Sequence, residues 1–65
     1  MKINSTKIEM LLAKRGMTKT TLAERSGISR QNVSTVIRRG TCEPFTVNKL
    51  ALGLGVPIEE IIKEE

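Results

Sequence analysis

Lys19-Thr20-Thr21-Leu22-Ala23-Glu24-Arg25-Ser26-Gly27-Ile28-Ser29-Arg30-Gln31-Asn32-Val33-Ser34-Thr35-Val36-Ile37 is the stretch whose reading decides the fold. Divided at Gly27, it holds two short helical patterns. Leu22 and Ala23 are the apolar positions of the first, and Val33, Val36 and Ile37 form the i, i+3, i+4 stripe of the second. A glycine just past a helix supplies the left-handed residue that ends it. Ile28 then anchors the turn, and Ser29 caps the next helix by accepting a bond from a free backbone N–H. Ala23 must be small, because two helices cross closely there. The pattern is a helix-turn-helix.

Working outward, 65 residues allow one domain, residues 1–65, with a small core. Phe45 is the sole aromatic residue, so Leu, Ile, Val, Met and Ala must build the interior. The chain has no His and one Cys. Cys42 therefore has no internal disulfide partner and cannot take part in a Cys/His zinc set. It reads as an ordinary loop cysteine, with a redox or bridging role as the functional alternative. No carboxylate pair, phosphate-cradling glycine loop or metal set suggests an enzyme. No cofactor or small-molecule ligand is implied. The absence of a long apolar run or a basic-then-apolar leader predicts a soluble cytoplasmic protein without membrane contact.

Charge is unevenly placed. Residues 1–40 carry nine Lys/Arg against two acids, Glu9 and Glu24. Residues 41–65 carry Lys49 and Lys63 against five glutamates, two of which end the chain. The basic excess coincides with the helix-turn-helix half, as binding to a phosphate backbone requires.

Taken in order, Met1 to Ile3 reads as a loosely packed lead-in. Asn4 and Ser5 are good caps, and Thr6 with Glu9 fits a capping box. Helix 1 runs to about Arg15, burying Ile8, Leu11 and Leu12, and Gly16 ends it. Thr18 caps helix 2, from Lys19 to about Ser26. Helix 3 runs from Arg30 to about Arg39, before Gly40. Thr46 is expected to cap helix 4, which buries Val47, Leu50, Ala51 and Leu54 and finishes at Gly55. Pro57 fits the first turn of helix 5, with Ile58, Ile61 and Ile62 as its stripe. The expected fold class is all-α, a compact bundle of five short helices.

From Ile8 to Ile62 the chain resembles the Cro and phage-repressor type (XRE-like) helix-turn-helix family. The resemblance rests on the Ala23, Gly27, Ile28, Val33 and Val36 spacing, the Gly40-x-x-x-Pro44 loop, and Leu50-Ala51-x-x-Leu54-Gly55-Val56. It implies a lambda-repressor-like DNA-binding domain with the motif as helices 2 and 3. Two features depart from the usual pattern. Ile37-Arg38-Arg39-Gly40 is basic and one residue longer than usual, and Lys19 stands where members often have glutamine.

The family docks its third helix in the major groove, which an α-helix fits. The positions matching its base-contacting ones are Arg30, Gln31, Asn32 and Thr35, with Ser34 nearby. Arg pairs bidentately with guanine, Gln or Asn with adenine, and a Thr methyl touches thymine. Phosphate contacts are expected at the start of helix 2, from Thr18, Lys19 and Thr20. A second group, Arg38, Arg39 and Thr41, lies at the far end of helix 3. One domain makes few contacts, so a homodimer on a palindromic operator is expected. Leu52, Ile58, Ile61 and Ile62 would form its interface, although some of them will be needed for the core. The reading is a transcriptional regulator, a repressor of phage or mobile-element type. The alternative is a protein-interaction module, such as an antitoxin-like partner, on the same fold.

Overall fold

The computed structural model describes residues 1–63; Glu64 and Glu65, the end of the acidic tail, lie outside the described residues. Four α-helices follow one another: α1 Ser5–Lys14, α2 Lys19–Ser26, α3 Arg30–Arg39 and α4 Pro44–Leu54. A 3-10 turn, Ile58–Glu60, replaces the expected fifth helix.

The caps decide where each helix begins. Asn4 caps α1, its Oδ1 accepting from the Lys7 N–H at 3.0 Å. Ser5 is used differently: its hydroxyl donates to the Ile37 carbonyl at 2.6 Å, tying the start of α1 to the end of α3. The Thr6–Glu9 capping box therefore does not form, and Glu9 turns toward Lys19 instead. Thr18 and Ser29 cap α2 and α3 by accepting from Thr21 N–H and Asn32 N–H, each at 3.1 Å. α4 starts earlier than expected. Its N-cap is Glu43 rather than Thr46, and Pro44 occupies the first turn. Proline suits that position because its φ is already helical and its missing N–H would have had no partner. Gly27, at φ 73°, closes α2 in the left-handed conformation that the turn needs.

Ile3, Ile8, Leu12, Leu22, Val33, Val47, Leu50, Leu54 and Ile61 lie in one buried cluster with Ala23, Val36 and Ile37. Full burial of each large aliphatic side chain contributes about 1.5–3 kcal/mol. Met17 and Ile28 pack against its edge. Arg15 reaches across to the end of α4, donating from Nη1 to the Leu54 carbonyl at 2.6 Å.

The two ends of the chain behave differently from the sequence reading. Met1 to Ile3 is not loose: Ile3 is 2% exposed, and its N–H donates to the Gly40 carbonyl at 2.9 Å. Isolated antiparallel bridges join Lys2 to Thr41 and Ile3 to Ile62, and Lys63 N–H donates to the Lys2 carbonyl at 3.0 Å. The β-branched Ile61-Ile62 pair thus leaves the helical path after one 3-10 turn and pairs with the first residues of the chain. Ile61 is fully buried in the core, which removes it from the expected dimer surface.

The tightest helix contact is between α2 and α4. Gly53 lies against Ser26, and a Cβ there would collide with the Ser26 hydroxyl and stand 3.1 Å from Leu22 Cδ1 and 3.2 Å from the Ser26 backbone nitrogen. Ser26 Oγ is buried, with no hydrogen-bond partner among the described residues. Alanine at position 53 gains about 1 kcal/mol of helix propensity, but overpacking costs about 1–3 kcal/mol. Gly53→Ala should therefore lower stability in urea unfolding. Ser26→Ala should raise it by about 1 kcal/mol, because an unsatisfied buried hydroxyl is removed. The double variant should lose less than the sum, since the Oγ half of the collision is gone.

Candidate nucleic-acid interface

α3 is a helix of seven polar and three apolar residues, and such a segment is not stable alone in water. Burial of Val33, Val36 and Ile37 holds it on the domain and determines which side faces out. Arg30, Gln31 and Asn32, in its first turn, are exposed. Ser34 and Thr35 are half-buried in the next turn, Thr35 following Gln31 at i+4, and Arg38 and Arg39 are exposed in the last turn. The structure therefore brings together the base-contacting set expected from the sequence, with its most accessible members at the N-terminal end.

The phosphate candidates form two groups. At the start of α2, Thr18 and Thr20 are exposed and Lys19 is half-buried. The Thr18 hydroxyl is the cap of its own helix and also lies 3.1 Å from Thr21 Oγ1. What remains for an anion is the Lys19 and Thr20 N–H groups, since that of Thr21 donates to the cap, and the Lys19 ammonium. That ammonium lies 3.8 Å from Glu9 Oε1, a half-exposed pair whose partner a phosphate would replace. At the other end of α3 are Arg38, Arg39 and exposed Thr41. Arg38 and Arg39 also suit the negative end of the helix dipole, which is a local reason for basic residues in the last turn. Nine steps of 1.5 Å place Arg39 about 14 Å from Arg30 along α3. The major groove is about 12 Å wide, so a helix with its first turn at base edges carries its last turn to the flanking backbone.

Two residues escaped the sequence reading. Lys2 and Lys63 stand beside Thr41 and Arg39, although they lie at opposite ends of the chain. No local motif marks them; only the pairing of the termini brings them there. The same pairing places the chain's amino group near Cys42. Burial pushes the Cys42 thiol up despite that cation, so the thiol stays protonated at neutral pH and is a poor nucleophile.

Among the described residues, no three His, Cys, Asp or Glu side chains converge as a metal site would require. No helix is long and apolar enough to cross a membrane. The exposed large apolar side chains include Phe45 and Leu52, 67% and 72% accessible, at i and i+7 on one face of α4. Lys49, at the i+4 position between them, holds its ammonium 4.6 Å from the Phe45 ring centroid.

The geometry agrees with the comparisons to known proteins. No curated protein sequence matches the chain. Among solved structures, it is similar to the restriction-modification controller protein C.AhdI from Aeromonas hydrophila, with 28% identity and a TM-score of 0.76 over 86% of each chain. A family model for the Cro/C1-type HTH DNA-binding domain matches residues 7–65. The chain thus belongs to the Cro/C1-type helix-turn-helix DNA-binding family, and its work is DNA-binding regulation of transcription.

Proposed function

We propose that the protein is a cytoplasmic, sequence-specific transcriptional repressor that binds a palindromic operator as a homodimer, with α3 in the major groove. The observation that carries this reading is the first turn of α3. Arg30, Gln31 and Asn32 are exposed together there, on a helix whose opposite face is locked into the core. Those three side chains supply the donor and acceptor patterns that distinguish base pairs in the major groove. Repression needs nothing further, because a domain seated over a promoter excludes other proteins from it.

The second copy docks through the exposed face of α4. Leu52 keeps its place from the sequence reading, Phe45 joins it, and half-buried Ile58 and Ile62 border the core nearby. A two-fold pair makes each contact twice and sets the half-sites about one helical turn apart. The likeness to C.AhdI favours a second reading of the biological setting, in which this chain too controls a restriction-modification system rather than a phage or other mobile element.

Selection from a random duplex pool should yield a palindromic site. Arg30→Ala should relax selection at one base position per half-site and weaken the selected site by about 1–3 kcal/mol. Lys19→Ala should weaken all sequences alike and reduce the slope of log affinity against log salt by about one unit. Unselective binding indifferent to Arg30 would remove the operator-reading proposal and favour a protein partner. In sedimentation, Leu52→Glu should convert dimer to monomer with thermal unfolding little changed, since the side chain is exposed in the single chain. An unchanged dimer would place the interface elsewhere.

A further inference from the structure

We infer that the paired chain ends form an additional phosphate-binding point, in which Lys2, Lys63 and Arg39 hold a DNA backbone phosphate outside the helix-turn-helix. The inference rests on the proposed DNA-reading role of α3 and extends it to residues that no motif includes.

Three observations support it. First, the termini are held in place by their backbones. Lys2 bridges Thr41, Ile3 bridges Ile62, and Lys63 N–H donates to the Lys2 carbonyl at 3.0 Å. The two lysine side chains take no part in these bonds, and both residues are exposed. Second, Lys2, Lys63 and Arg39 line one cleft of about 330 Å³ with Thr6 and Thr41, and no acid lines it among the described residues. The ion pairs in the described part form elsewhere, Lys7 with Glu60 at 3.3 Å and Lys19 with Glu9 at 3.8 Å. Three cations around one cleft repel one another, and at physiological ionic strength the repulsion persists over about 8 Å. A polyanion relieves it. Third, the cleft is continuous with the proposed interface, because Arg39 and Thr41 belong to both. A phosphate beyond the last turn of α3 is therefore within reach of the two lysines as soon as that turn meets the backbone.

Phosphate chemistry alone does not separate a duplex backbone from a free anion, so the test has an arm for each. The full chain is used, keeping the acidic Glu64–Glu65 end present throughout. Wild type, Lys2→Gln/Lys63→Gln and Arg30→Ala are measured on a selected duplex between 50 and 200 mM salt, and thermal unfolding of each is recorded. The double variant should unfold like wild type, select the same bases, and lose affinity about three- to fourfold less than wild type across that salt range, as expected for one missing phosphate contact. Trimming the duplex flanks should erase the difference. The inference is overturned if the double variant keeps the wild-type salt slope while Arg30→Ala still relaxes selection; the DNA-reading role then stands without the terminal contact. Wild-type binding that is unselective overturns both. Saturable NMR shifts at Lys2, Thr41 and Lys63 with inorganic phosphate, without any change of duplex salt slope in the double variant, would identify a small-anion site instead.

Discussion

Burial of Val33, Val36 and Ile37 is the constraint on which the rest depends. A ten-residue helix carrying three cations and no acid has little reason to form by itself. Docking its apolar stripe against the core makes it a helix, and the same docking fixes its rotation. The N-terminal residues Arg30, Gln31 and Asn32 are then presented to solvent as a consequence of packing on the opposite side. Ser29 and Gly40 limit its ends, so neither the first nor the last turn can extend and change register.

The other helices form the platform for that docking. α2 and α4 approach closely enough that Gly53 has no room for a side chain, and the buried Ser26 hydroxyl beside it has no hydrogen-bond partner among the described residues. Long-range polar ties link the remaining pieces: Ser5 to the end of α3, and Arg15 to the end of α4. Arg15 is thereby occupied as a cap on α4, which accounts for an exposed basic residue near the turn without requiring DNA.

Local signals are legible in the sequence because their physics is local. The Thr18 and Ser29 caps, the Gly27 turn and the buried stripes of α1 to α4 depend on neighbours within a few residues, and the structure has them. The misreadings involve distant partners or competing local choices. Met1–Ile3 looks unstructured until Gly40, Cys42 and Lys63 supply its hydrogen bonds. Ile58, Ile61 and Ile62 have helical spacing, yet only three residues turn before the chain pairs with its own beginning. Thr46 and Thr6 are chemically sound caps that lost to Pro44 at the first turn of α4 and to Asn4. For the site, the polar face of α3 was legible from periodicity. Lys2 and Lys63 were not, because their proximity to Arg39 is a property of the closed chain.

The most direct test of the central claim is methylation protection of a selected duplex with the protein bound. Guanine N7 lies in the major groove and adenine N3 in the minor groove, so the two reactions report different faces of the duplex. A helix seated as described predicts protected guanine N7 atoms in two patches centred about 10 base pairs apart, with adenine N3 still reactive between them. Protection confined to adenine N3, or none at all under conditions of full occupancy, would contradict the assignment of α3 as the reading helix.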